Sequence, residues 1–208
     1  MSKTGCLIGV GVLVLVAIVA GMYGVGLYNG LVGGEEAITQ QWAQVETAYQ
    51  RRADLIPNLV AAVKGAANFE RGTLESVVEA RSRVGQISPQ ATSEILNDPQ
   101  KFAQFEQAQN QLGSALSRLL VVVEQYPQLT AVPAFRDLMT QIEGTENRIS
   151  TERRRFNEAA QGWNTRIRRV PASWIVSILG WPFKPKAYFA SQQGAETAPT
   201  VDFGTDMR

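Results

Sequence analysis

An apolar stripe that keeps helical phase across a proline constrains this chain more than any other feature. Ile38, Trp42, Val45, Tyr49, Ile56, Leu59, Val63, Ala66, Leu74, Val77 and Val84 follow one another in steps of three, four or their sums. That spacing places them on one face of a helix. Pro57 interrupts the stretch "RRADLIPNLV", where it removes a backbone donor and pushes its ring against the carbonyl of Ala53. Because the phase holds on both sides, a kinked continuous helix or two coaxial helices fit better than a sharp reversal. Asp54 as an N-cap is the alternative, with Pro57 then in a first turn whose N–H groups have no helical partner anyway. Either way the expected break lies between Arg52 and Asn58.

Two further stripes follow. Turn and cap residues fill "GQISPQATSEILNDPQ", residues 85–100. Phe102, Phe105, Leu112, Leu116, Leu119, Val123 and Tyr126 then repeat at helical spacing until Pro127. After Pro133 come Phe135, Leu138, Ile142, Ile149, Phe156, Ala160, Trp163 and Ile167. The β-branched run "VVVE" suggests a strand in isolation, but the spacing around it outweighs that. Nothing alternates at period two over a useful length, so the body is expected to be all-α. Long helices with short connections bury their faces best side by side, as an elongated antiparallel bundle.

The amino terminus is of a different kind. From Gly5 to Leu27 there is no charge or strongly polar side chain. A bilayer core of ~30 Å calls for ~20 such residues in a helix. A cleaved signal peptide is the competing reading, but its apolar core runs to only ~7–15 residues. No clean small-x-small site appears before Tyr23, Leu27 and Tyr28, whose rings suit an interface belt. A retained anchor is therefore expected over residues 1–27. Cys6 follows no lipobox-like stretch. Lys3 on one side and the lack of lysine or arginine from Tyr28 to Ala48 on the other favour an inside amino terminus and an outside body. The glycines of "YNGLVGG", residues 28–34, read as a flexible collar before a body over 35–170.

At the other end, residues 171–190 turn apolar and aromatic in "SWIVSILGWPFKPKAYF". This segment is too short to span a bilayer. It either folds back to close one end of the bundle, the favoured reading, or lies in a membrane interface through Trp174, Ile178, Trp181, Phe183, Lys184 and Lys186. Residues 191–208 have the composition of a disordered tail.

Composition narrows function mainly by exclusion. Lysine plus arginine number 20 against 19 acids, there is no histidine, and Cys6 is the one cysteine. The chain thus lacks a global charge for nucleic acid, the usual general base and the commonest transition-metal ligand. No phosphate-binding glycine loop, nucleophile elbow or zinc pattern is present. Four charges fall where the stripes call for apolar residues: Arg52, Glu70, Glu146 and Arg153. An unpaired buried charge is very costly, so they are expected to neutralise one another in an ion network that holds helix register, with Arg51 and Asp54 at its edge. A di-metal bundle site needs histidines, and paired-carboxylate hydrolysis by Glu70 and Glu146 would need a cleft that bundles seldom offer. No cofactor or metal is expected, and no enzymatic activity. The basic run from Glu152 to Arg169 reads as a solvated helix face.

Several stretches together resemble the LemA family of bacterial membrane proteins: "YNGLV", "RRADLIPNLV" with "KGAANFE", "LSRLLVVVEQYPQL", "EGTENRISTERRRFNEA" and "WNTRIRRVPASWIVSILGW". The resemblance implies an up-and-down four-helix bundle on one amino-terminal transmembrane helix. It also implies that Arg52, Pro57, Glu70, Glu124, Tyr126, Pro127, Glu146 and Arg153 are family-typical positions, and it supplies no established enzymatic activity. It further implies a short amino terminus on the outer side, opposite to the orientation that Lys3 favours. The expectation is a single-pass protein of the bacterial cytoplasmic membrane that acts as a scaffold for envelope or membrane proteins and self-associates. The alternative is lipid contact or membrane organisation through residues 173–189.

Overall fold

The computed structural model describes residues 3–64, 70–87 and 92–190. Stripe position Ala66 and the tail 191–208 lie outside them. All regular structure among the described residues is helical: α1 (Lys3–Lys64), α2 (Arg71–Gln86), α3 (Thr92–Asn97), α4 (Pro99–Val123), α5 (Pro127–Thr130), α6 (Pro133–Arg168) and α7 (Ala172–Leu179). Prolines open three of these helices, at Pro99, Pro127 and Pro133, where a missing N–H costs nothing. Asp98 caps α4 by accepting from the backbone N–H groups of Gln100 and Lys101. Gly180, at φ 62°, ends α7 in the left-handed region that favours glycine.

The 62-residue helix α1 is the spine of the molecule, about 93 Å long at 1.5 Å per residue. Unbroken helix crosses two stretches that the sequence marks as weak points. The first is the collar, where residues 28–34 are helical throughout. Glycine lowers intrinsic helix propensity by ~1 kcal/mol against alanine, so local preference does not explain this. Tertiary contact does. Leu31 is fully buried, the Gly30 carbonyl accepts a hydrogen bond from Arg166 Nη1 at 2.8 Å, and α6 packs so close to Gly34 that a Cβ there would meet Arg166 and Trp163 at 3.2 Å. Gly34 thus serves close approach rather than flexibility.

The second is the stretch around Pro57, where the continuous helix holds and the Asp54 cap does not. The helix runs through it, and Asp54 is an interior residue accepting from Gln50 Nε2 at 2.8 Å rather than an N-cap. The carbonyl that Pro57 leaves without its helical donor belongs to Ala53. Arg81 of α2 reaches across and donates its Nε–H to that oxygen at 3.1 Å. A side chain from a neighbouring helix thus replaces the lost main-chain bond.

Packing links α1 with α6 and α2 with α4, and α3, α5 and α7 attach to these. Side chains are buried in two clusters. One, near the apolar half of α1, is built on Trp42, Phe102, Phe105, Phe156 and Trp163. The other, further along, is mostly aliphatic, from Ile56 to Val63, Leu74 to Ala80, Leu112 to Val123 and Leu129 to Ile142. Helix α3 was not anticipated within the turn-rich stretch. It inserts Ile95 and Leu96 into the aromatic cluster.

Candidate functional site

Between the two clusters lies a polar layer centred on Arg52, which is 3% exposed. Its Nη1 meets Glu146 of α6 at 3.0 Å, and its Nη2 donates to both the backbone and side-chain oxygens of Gln109 of α4, the former at 3.1 Å. Gly113, one turn beyond Gln109, lies beside the guanidinium, and a Cβ there would make ordinary contact 3.5 Å from Nη1. The same guanidinium stands 5.1 Å from the ring centroid of Tyr49. Burial raises the Tyr49 hydroxyl above its ordinary value of 10.0, with the nearby arginines Arg153 and Arg52 opposing that. Arg52 Nε, Tyr49 Oη and Trp42 Nε1 are buried without a hydrogen-bond partner among the described residues.

The expected four-charge network therefore takes a different form. Arg52 and Glu146 do pair, but Glu70 is exposed at the start of α2, far from contributing a buried carboxylate. Arg153 pairs with Glu106 of α4 at 2.6 Å instead of with Glu146. The charge that does sit at the centre of α6 is Glu152, 1% exposed, held by Arg148 at 2.7 Å, Arg155 at 3.1 Å and Gln41 of α1 at 2.9 Å. Periodicity leaves this undecided by one step, because from Ile142 to Ile149 to Phe156 a path through Glu146 and Arg153 fits as well as one through Thr145 and Glu152. The fold buries Thr145 and Glu152.

A second polar system holds the chain after α7. Residues 181–190 run back along α6 in extended form, and two asparagines fix their register. Asn164 donates to the Lys186 carbonyl and accepts from the Lys186 N–H, both at 2.8 Å. Asn157 does the same for Phe189, both at 2.9 Å. Seven residues of helix rise about 10 Å, which matches three residues of extended chain at ~3.3 Å each. Trp163 Nε1 donates to Lys184 O at 2.9 Å, while Glu106 and Arg153 bind the backbone of Ala190. Phe189 thereby stacks on Trp42 and contacts Phe102 and Phe156. None of these asparagines stood out in the sequence, since a carboxamide on a helix carries no periodic signal.

This strap splits the candidate interface residues. Phe183 and Lys186 are buried in the body, Lys186 against Glu35 at 2.7 Å and Asn97. They are withdrawn from any membrane surface. Trp181 is half-buried against Tyr28, with ring centroids 5.0 Å apart. Lys184 is exposed, and Trp174 and Ile178 on α7 are 63% and 81% exposed.

Chemically, the buried Arg52 and Glu152 each meet more exposed groups of opposite charge at hydrogen-bonding distance, an arrangement that fixes helix register. No cluster of three or more acids, cysteines or histidines forms among the described residues. The apolar stretch of α1 is long enough to cross a membrane, and none of it is buried in the protein.

The chain is 29% identical to magnetosome protein MamQ 1 of Paramagnetospirillum magneticum, over 82% of this chain and 67% of that protein. It is 27% identical to magnetosome protein MamQ of Magnetospirillum gryphiswaldense over the same shares. To protein LemA of Metamycoplasma hominis it is 26% identical, over 69% of this chain and 60% of that protein. The LemA family model matches residues 41–203. With its exposed apolar helix and these relatives, the chain is that of a membrane-associated protein. It belongs to the LemA family.

Proposed function

We propose that this protein is a non-enzymatic scaffold whose α1, α2, α4 and α6 form an antiparallel, up-and-down four-helix bundle on a single span. The bundle stands on the outer side of a bacterial cytoplasmic membrane and presents its exposed faces to envelope or membrane proteins, including further copies of itself. One observation carries this reading: α1 passes without a break from the apolar span into the core. A body joined to its span by continuous helix is held at a set distance and rotation from the bilayer, which suits a platform for partners. The buried charges Arg52 and Glu152 are held in ion pairs, which supports the non-enzymatic reading.

Site-specific photo-crosslinking in cells from exposed positions of α2 and α4, such as Arg118, tests it. Discrete protein adducts are expected, and they should disappear when two residues inserted at Gly33 rotate the body on its span. A body that crosslinks to no protein, its own copies included, overturns the scaffold. Cysteine accessibility labelling on either side of the span decides the sidedness. A second reading, lipid contact by α7, is favoured by the outward Trp174 and Ile178.

A further inference from the structure

Contacts between α1 and α6 descend in step towards the span: Arg52 with Glu146, Gln41 with Glu152, and Gly30 with Arg166. From Leu7 to Leu27 the exposed apolar helix covers about 30 Å, the thickness of a bilayer's hydrocarbon core, about 30 Å. The end of α6 therefore stands level with the edge of the bilayer. A cleft there is lined by Tyr23, Leu27, Arg166, Arg169, Val170 and Pro171, among others, with Glu158 at its upper end. Arg166, Arg168 and Arg169 are exposed, and none is in an ion pair among the described residues.

Beside the cleft, α7 is fastened by Ala172, which is buried, and by Val176, which packs on the aromatic cluster. Its opposite face carries Trp174 and Ile178 one turn apart, both exposed, and Val170 before the helix and Leu179 at its end are exposed as well. Gly180 and the strap hold the helix there, and Trp181 against Tyr28 completes an aromatic girdle at the same depth. Apolar side chains facing out at the level of the acyl boundary, close to exposed arginines that are in no ion pair among the described residues, match a phospholipid in both of its parts.

We infer that the base of this protein is a binding site for anionic phospholipid, with Arg166, Arg168 and Arg169 on the headgroup phosphates and Trp174 and Ile178 among the acyl chains. The inference rests on the lipid-contact reading and deepens it by naming the headgroup class and the residues that select it.

The test uses the full chain in nanodiscs of equal parts phosphatidylcholine and phosphatidylglycerol. A nitroxide is placed at Ile178→Cys in a Cys6→Ser background, with Arg154→Cys as a solvent control. Expected is strong collision with oxygen and weak collision with a water-soluble nickel chelate at position 178, and the reverse at 154. Spin-labelled phosphatidylglycerol should associate in preference to phosphatidylcholine, and that preference should fall about fivefold for each of Arg168→Gln and Arg169→Gln. Insertion at 178 with a preference unmoved by either glutamine overturns the headgroup site and leaves lipid contact standing. Nickel access at 178 sinks both, as does shielding from both quenchers, which would mean that protein covers α7. Displacement of the labelled lipid by inorganic phosphate would show a soluble-anion site instead and overturn the inference.

Discussion

The two halves of the helical body are built differently although the same two long helices run through both. The half next to the span is aromatic. Trp42, Phe102, Phe105, Phe156 and Phe189 contact one another, and a strap from the end of the described chain closes over them. The distal half is aliphatic, with Phe135 as its one buried aromatic residue among those described, and rests on helix-to-helix contact alone. Between them the Arg52, Gln109 and Glu146 layer interrupts the apolar interior. The difference teaches where rigidity is needed. The proximal half has to hold α7 and the strap in place at the end of the span, so it uses large rings and paired amides that accept one geometry. Leucine and valine packing tolerates sliding, and the polar layer limits how far register can drift.

The largest effect that would test this contrast is expected from Phe189→Ala. It removes a buried ring from the aromatic cluster and should destabilise by about 3–5 kcal/mol. Amide exchange in detergent should rise along residues 153–164 before it rises along Leu112–Val123. Equal loss in both halves would mean that the strap is not a local closure.

Arg52→Leu comes next. It leaves Glu146 without its partner, and because that carboxylate is 41% exposed the loss should be about 2–3 kcal/mol, below a fully buried pair. Adding Glu146→Leu should recover most of it in chemical denaturation. Glu70→Ala, by contrast, should stay within about 0.5 kcal/mol of the parent. A large loss on Glu70→Ala would restore that residue to the network.

A smaller effect concerns the proline. Arg81→Ala should cost about 1 kcal/mol by removing the donor to the Ala53 carbonyl. In a Pro57→Ala background, where the main chain supplies its own donor, the same change should be nearly silent. Additive losses in that double-mutant cycle would separate the arginine from the proline.

The smallest effect is a matter of pH. The Tyr49 hydroxyl titrates above 10.0 in the folded protein because burial disfavours the phenolate. The folded state then holds this proton more tightly than the unfolded state. The contribution is complete below pH 10.0 and is lost as pH rises from there through the folded value. Tyr49→Phe should flatten the alkaline limb of the stability profile, and a phenolate absorbance at ordinary pH assigned to Tyr49 would contradict the placement.

Much of the fold was legible because burial leaves a periodic mark. The stripes through Trp42, Leu112 and Phe156 mark three helices, and the uncharged run to Leu27 marks the span. Pairing of charges left no such mark. Arg52 was identifiable because it stands alone between Tyr49 and Ile56, whereas Glu146 and Glu152 fit the same stripe and differ only by a small rotation of α6. The collar was misjudged because glycine's local preference was weighed without the α6 residues that press on it. The hold of Asn157 and Asn164 on the strap was invisible, since it depends on two segments of different rise matching in length.

Taken alone, the sequence determined the helical class, the family, the apolar span and Arg52 as a buried charge in need of a partner. Those follow from spacing and from the cost of burying charge, both of which are local. Only the tertiary structure decided which charges meet, that α1 runs unbroken through its glycines and its proline, and that α7 faces outward beside the span. These depend on contacts between residues distant in sequence, where a neighbouring helix supplies the hydrogen bond or the close packing that local preference lacks.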